Sequence, residues 1–319
     1  MHQRVSTTVL CSALALALGS SGDAGADEMT SDAPTPTSQK TASETAPFAR
    51  VLAEIRHGRV SIELDDGVAA TVPYRLVVPA EQILSRHPNG LPLIVFLHGS
   101  GERGDDNQAQ LRHFVGDSGG DAFQRRQPCL VLAVQCPADQ YWTRLERDRI
   151  GDAAYAPRFD RTTPAMEAVI TAIDEVLEGH PEVDRDRVHL TGLSIGGYGA
   201  FDLAARRPEL FASVVPICGG GDPTTADRLA ALPITIVHGT LDQVVPVEAS
   251  RRMHAAIVAA QVARSIDESG RARLVEYPDA HHESWTRAYR FGAEGVLDWM
   301  FAQRRASPPR NLPKESAPR

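Results

Sequence analysis

Residues V188-H-L-T-G-L-S-I-G-G197 run from a short apolar, β-branched stretch into a glycine-framed serine, and a segment of helical period follows. A run of that length bounded by glycines reads as a buried strand, and the segment after it reads as a helix. A G-x-S-x-G placed between strand and helix has the context of a nucleophile elbow. The physical reason is steric: a sharp, strained turn pushes the serine hydroxyl outward, and side chains at the flanking glycines would collide with neighbouring backbone. The helix then turns free N–H groups and its positive end toward charge developing nearby. Ser194 is the candidate nucleophile. The competing reading is a tight turn with no chemistry.

Working outward, two alternating segments, 59–64 and 72–79, flank D65-D-G67, an Asp-Gly hairpin signal. Continuous apolar runs then follow at 91–97, 130–134, 188–191, 212–217, 234–237 and 274–277. Between them lie helical patterns at 164–178, 197–206, 224–231, 247–262 and 286–302. Strands alternating with helices predict a mostly parallel sheet with helices on both faces, entered by an antiparallel N-terminal hairpin. No internal repeat is visible. Ligands of such sheets bind at the C-terminal strand ends, where the turns HGSGERG, QCP, GLSIGG, HGTLD and PDAHHE all fall.

The composition bounds the rest. Of 319 residues, 42% are hydrophobic and 23% charged, which is ordinary for a globular chain. Residues 1–26 carry a basic start, an apolar run and A24-G-A26, the pattern of a secretory signal peptide rather than a frayed helix. That run is too short to span a bilayer, and Cys11 lies inside it rather than after it, so no lipid or membrane anchor is expected. Residues 27–47 are Ser-, Thr- and Pro-rich and read as a linker, and 304–319 as a disordered tail. The remaining 48–303 suits one catalytic domain in an exported protein. Arg4 and Asp23 cancel, so the net charge of −8 persists without residues 1–26 and argues against a nucleic-acid or anionic-membrane partner. Beyond Cys11 the cysteines are Cys129, Cys136 and Cys218. The first two end one strand about 23 Å apart, too far to pair, and three buried or half-buried thiols are expected. No cluster has metal-site spacing, so no metal or cofactor is expected.

A serine needs a base oriented by a third group. After an elbow of this kind, the acid and then the histidine follow along the chain. In HGTLDQVVP, from His238 to Pro246, Asp242 stands at a strand end before a Pro-initiated helix, whereas Asp222 and Asp227 fall on or near a helix. The last strand delivers Asp279, His281, His282 and Glu283 to the same edge. One of the two histidines would carry the proton. The oxyanion donors expected are the N–H of Ile195 and the N–H of Ser100, with Gly101 as the alternative. His98 and His238 read as structural residues that hydrogen-bond neighbouring loops.

These residues resemble the serine-hydrolase branch of the α/β-hydrolase superfamily, and more narrowly a secreted bacterial esterase group related to feruloyl and polyhydroxybutyrate-depolymerase-like esterases. The resemblance covers most of 59–301. It rests on L93-I-V-F-L-H-G-S-G-E-R-G-D-D-N107, Q135-C-P-x4-W142, GLSIGGYGAF, HGTLDQVVP and H282-E-S-W-T-R-A-Y289. It implies the α/β-hydrolase fold and cofactor-free hydrolysis of a carboxylic ester, small or polysaccharide-linked, with feruloyl or acetyl esters of plant biomass as examples. In relatives the catalytic histidine stands in H-x-x-W-x-x-x-Y, which selects His282 with Trp285 and Tyr289; His281 departs from the small residue usual before it. Dienelactone hydrolases share the fold but carry a cysteine nucleophile, and Ser194 argues against that branch. Substrate contacts are expected from Trp142, Gly101 and Trp285, within a pocket that 140–161 lines with Tyr141, Tyr155 and Phe159. Glu102 and Arg103 are expected to hold the oxyanion loop as an ion pair. The alternatives are a peptidase of the same fold and a non-catalytic binding protein built on it.

Overall fold

A computed structural model of the chain describes residues 53–63, 67, 69–146 and 156–305. The expected signal peptide at 1–26, the linker at 27–47, Tyr155 and all but the first two residues of the expected tail lie outside them.

The main sheet has eight strands in the order β1-β2-β4-β3-β7-β8-β9-β10. These are β1 Ala53–Glu63, β2 Ala69–Pro79, β3 Leu91–Leu97, β4 Leu130–Val134, β7 Val183–Leu193, β8 Ser213–Ile217, β9 Thr235–Gly239 and β10 Arg273–Tyr277. A separate antiparallel ribbon joins β5 Arg144–Glu146 to β6 Ala156–Arg158. β1 and β2 form the expected antiparallel hairpin, in register from Ala53 opposite Pro79 to Glu63 opposite Ala69. β2 also pairs antiparallel with β4, and the remaining pairs of the main sheet are parallel. The helices are α1 Glu81–Leu84, α2 Val115–Ser118, α3 Asp121–Arg126, α4 Pro164–Gly179, α5 Ile195–Arg206, α6 Ala226–Leu229, α7 Glu248–Ala263, α8 Trp285–Ala288 and α9 Leu297–Ala302.

β3 explains why the sequence shows runs rather than alternation. It is flanked by β4 and β7, and all seven of its residues are buried. Leu91, Leu93, Val95 and Leu97 enter one core with Met166 of α4, Phe201 of α5 and Met253 of α7. Ile94 and Phe96 point to the other face and pack with Phe114, Trp285, Leu297 and Met300. A strand covered on both sides needs apolar side chains at every position. β1, at the sheet edge, alternates instead. α4 begins where Thr163 accepts the Met166 N–H and Pro164 occupies the first turn, the arrangement that satisfies one orphan donor and wastes none.

Two expectations change. The pattern over 286–302 forms two short helices rather than one. The chain breaks between α8 and α9, where Gly292 has φ +92 and a side chain at Gly295 would lie 1.8 Å from the Arg290 carbonyl oxygen. The apolar period crosses the break because Trp285 and Ala288 before it, and Leu297 and Met300 after it, all face the sheet. The short helices α1 to α3 and the β5/β6 ribbon sit in segments too brief for a period to register. Cys129, Cys136 and Cys218 are free and buried, as expected. At the C-terminal end, Arg304 bonds Asp184 at 2.6 Å and Arg305 bonds Asp186 at 3.0 Å, joining the segment after α9 to the start of β7. Among the described residues, no helix is long and apolar enough to cross a membrane.

Two fully buried histidines tie the fold to pH. Burial pushes His98 down to about 4 and His189 to about 3, whereas an unfolded histidine titrates near 6.5. Both stay neutral in the folded chain, so the unfolded state binds more protons as pH falls below that value. Stability is therefore full above about 6.5 and declines by about 1.4 kcal/mol per pH unit for each histidine on going down. Urea unfolding between pH 7 and pH 5 is expected to show this slope, and His189→Leu to remove one histidine's share of it.

Candidate active site

Ser194 stands between β7 and α5 with φ 56 and ψ −121, a conformation that costs a non-glycine residue and has to be imposed by its surroundings. Its N–H donates to the Ile217 carbonyl at 3.0 Å and to Cys218 Sγ at 3.3 Å, and its carbonyl accepts the Gly197 N–H at 2.8 Å. The two glycines of the motif are needed because backbones meet there. A side chain at Gly192 would lie 2.3 Å from the Gly196 oxygen, and one at Gly196 would lie 2.0 Å from the Leu97 oxygen. The end of β3 thus packs directly on the turn.

Of the two adjacent histidines, the fold brings His282 to Ser194. Its Nε2 is 3.0 Å from Ser194 Oγ, and its Nδ1 is 2.7 Å from Asp242 Oδ2. A carboxylate only accepts, so Nδ1 carries the proton and Nε2 is left to accept the serine hydroxyl. His281 turns the other way, exposed, with Nδ1 3.1 Å from the Leu241 carbonyl oxygen. Asp242 also accepts the N–H groups of Val244 at 2.8 Å and Val245 at 2.9 Å through Oδ1. Burial works to raise its carboxyl, but bonds from His238, His282 and these two N–H groups outweigh it and hold it well below the usual range. Asp222 caps the 3-10 turn Pro223–Thr225 instead, accepting from Thr224. Asp279 bonds Arg287.

The loop after β3 lies against the serine. A side chain at Gly99 would come within 3.7 Å of Ser194 Cβ and 3.1 Å of Glu102 Oε2. Ser100 and Gly101 follow, both exposed, and open space surrounds the Gly101 Cα. Among the described residues, no hydrogen bond occupies the N–H of Ser100 or of Ile195. The expected Glu102–Arg103 pair does not form. Glu102 is buried with Oε1 3.3 Å from His113 Nε2, whereas Arg103 donates to the carbonyls of Ser100 and Gln140, each at 3.1 Å, and covers the Tyr141 ring. The loop is held by backbone acceptors, which lose less on desolvation than a charge would.

Trp142 is also corrected. It is fully buried, its indole N–H donates to the His98 carbonyl at 3.0 Å, and its ring stands edge-on to His98. It props the loop from beneath and offers no face to a ligand. Trp285 does border the site, edge-on to His282 and to His113 with centroids 5.3 Å apart in both cases. Phe159 lines a cavity of about 580 Å³ with Arg158 and Arg252, and Tyr141 lines one of about 270 Å³; Ser194 borders neither.

His98 bonds its own loop, as expected, through Nδ1 to the Gly99 carbonyl at 2.7 Å and Nε2 to the Cys136 N–H at 2.9 Å. His238 bonds loops too, but the sequence reading missed a further neighbour, Asp242 Oδ2, 3.2 Å from its Nε2. The four-residue spacing within H238-G-T-L-D242 was the available signal. Cys218, Asp242 and His282 bring possible ligand atoms within 4.8 Å of one another. Each is already committed to hydrogen bonds, and burial pushes the Cys218 thiol up, which keeps it protonated and a poor ligand.

Residues 134–290 match the sequence model of the dienelactone hydrolase family, a span that includes Ser194, Asp242 and His282. The crystal structure of a thermostable esterase is 33% identical and superposes with a TM-score of 0.61, over 78% of this chain and 63% of that one. The chain has the α/β-hydrolase fold. S-formylglutathione hydrolase FrmB of Staphylococcus aureus shares it at 14% identity and a TM-score of 0.50, over 78% of this chain and 99% of that one. The candidate esterase NocK of Nocardia uniformis subsp. tsuyamanensis is 27% identical over 162 residues, 50% of this chain and 42% of that protein. The chain spans less than two thirds of the length of NocK and of the thermostable esterase. The match to the dienelactone hydrolase model runs through the elbow, where this chain carries Ser194.

The elbow gives a direct test of its steric origin. Gly196→Ala is expected to cost about 3 kcal/mol, the upper end of overpacking effects, because its neighbour is the Leu97 backbone rather than a side chain that can move. Urea unfolding of that variant beside the parent chain measures it.

Proposed function

We propose that the chain is a serine carboxylesterase that works through an acyl-enzyme on Ser194. The observation that carries this reading is the continuous hydrogen-bonded line from Ser194 Oγ to His282 Nε2 at 3.0 Å and from His282 Nδ1 to Asp242 Oδ2 at 2.7 Å. Ser194 Oγ attacks the ester carbonyl carbon while its proton passes to His282 Nε2. Asp242 fixes the tautomer and balances the imidazolium. The oxygen that gains charge is received by the N–H groups of Ile195 and Ser100. As the carbon–oxygen bond to the alcohol breaks, His282 returns that proton to the alcohol. Water then attacks the acyl carbon and gives one proton to His282, which passes it to Ser194 Oγ as the bond from Oγ to the acyl carbon breaks and the acid leaves. No cofactor enters these steps.

The similarity to a thermostable esterase and to NocK supports ester rather than amide cleavage. The finer reading is a secreted enzyme of the feruloyl and polyhydroxybutyrate-depolymerase-like group. It rests on the HGSGERGDDN and HESWTRAY motifs and on the secretory pattern of residues 1–26. Its substrates would be small or polysaccharide-linked esters, plant-biomass feruloyl and acetyl esters among them. Trp285, which stands edge-on to His282, and Gly101, in the loop after β3, are the substrate contacts this reading assigns.

Ser194→Ala is expected to lower p-nitrophenyl acetate and butyrate hydrolysis by at least about 10³-fold and to abolish labelling by a fluorophosphonate probe. Full activity in that variant would end the reading. A peptide nitroanilide assayed beside the esters separates a peptidase from an esterase. His282→Ala is expected to lose several orders of magnitude and His281→Ala only a few-fold, and the reverse order would move the base to His281.

A further inference from the structure

Asp242 Oδ2 serves two imidazoles, and the reaction above uses one. The second is His238, whose side chain is entirely buried. Its Nε2 lies 2.9 Å from the Val245 carbonyl oxygen and 3.2 Å from Asp242 Oδ2. Both partners are acceptors, so this nitrogen carries a proton. Its Nδ1 lies 2.7 Å from Ser250 Oγ, on α7, and Ser250 Oγ lies 2.8 Å from the Gly219 carbonyl oxygen. Gly219 packs against Gly197 at the start of α5. The line that begins at Ser194 therefore does not stop at Asp242. It continues through His238 and Ser250 and returns to the loop behind the elbow.

We propose that His238 is a positioning residue for the reaction: it shares the Asp242 carboxylate oxygen with His282 and so limits how firmly that carboxylate holds a proton on His282. The inference rests on the serine-hydrolase reading of the same site. Its physical basis is that two donors on one buried oxygen divide its negative charge, so each bond is weaker than it would be alone. A base must be free of its proton at the working pH to accept one from serine. An undivided Asp242 would keep His282 protonated to higher pH.

Ser250 sets how much His238 withdraws, and the sign is the same for either orientation of its hydroxyl. If the hydroxyl points to Gly219, its oxygen accepts from Nδ1–H and fixes the ring with Nε2–H toward Asp242. If it points to Nδ1, it polarises the ring and strengthens the Nε2–H bond to Asp242. Removing the hydroxyl weakens the withdrawal in both cases. The other ionisable groups near this line are few. From β10, Glu276 stands opposite His238 in register but is paired with Arg251 at 2.7 and 2.8 Å. Tyr198 of α5 and Cys218 after β8 adjoin Asp242, and burial keeps both protonated. His254 of α7 is occupied by the Ala272 carbonyl. His113 reaches His282 only across the Trp285 ring.

The test is the pH profile of kcat/KM for p-nitrophenyl acetate in the full chain and in Ser250→Ala, His238→Leu, His238→Gln and Ser194→Ala. The acidic limb is expected to move to higher pH by about 1 unit in His238→Leu and about 0.5 unit in Ser250→Ala. His238→Gln, whose amide N–H reaches the place of Nε2–H, is expected to restore the limb most of the way. A role confined to packing would lower the yield of folded protein or kcat without moving the limb. Ser250→Ala decides, because it removes one oxygen and leaves the fold its Cβ: a limb within about 0.2 unit of the parent overturns the proposal whether or not His238→Leu folds. Substantial activity in Ser194→Ala would instead overturn the serine-hydrolase reading, and the proposal with it.

Discussion

Three backbone segments meet at the elbow with no side chain between them, and the arrangement of the site depends on that contact. The carbonyl of Leu97 lies where a Gly196 side chain would be, and the Ser194 N–H is held by the Ile217 carbonyl at 3.0 Å. These fix β3, the β7–α5 turn and β8 at one point. Only a contact this close can impose φ 56 on a serine and keep it there. The same closeness brings the loop after β3 to the serine, since Gly99 rests against Ser194 Cβ. The position of the hydroxyl, of the free N–H groups beside it and of the first strand ends is one consequence of one packing event.

The carboxylate of Asp242 is the second junction, electrostatic rather than steric. Two N–H groups of its own loop take Oδ1, and two histidines take Oδ2. A buried carboxylate is tolerated only when its lone pairs are filled in this way. The donors come from the β9 strand end, from the loop that follows it and from the loop after β10. Asp242 therefore acts on the fold as well as on His282, and its charge cannot be assigned to one partner.

Much of this was legible in the chain because periodicity and strand-end placement are local. The apolar run at 91–97, the hairpin around D65-D-G67 and the elbow glycines each have a physical reason that a short window of sequence contains. Asp242 and His282 were legible because chain order and the H-x-x-W spacing restrict the choice. What the sequence could not supply was direction. Trp142 sits in a loop at the expected edge, yet it points inward and spends its N–H on the His98 carbonyl. Glu102 and Arg103 are neighbours of opposite charge that turn to different partners. His238 reads as one more strand-end histidine until the Asp242 loop folds back over it. The split between α8 and α9 was hidden for a related reason, since both pieces face the sheet and keep the period.

The pairs that join Arg304 to Asp184 and Arg305 to Asp186 fasten the segment after α9 to the beginning of β7. β7 then runs from Val183 to Leu193 and ends beside Ser194, a distance of about 30 Å for a strand of that length. Arg305 is therefore pinned near the sheet edge opposite the serine. A probe or cross-link attached at Arg304 or Arg305 would stand behind the protein and leave the edge that carries Ser194 open.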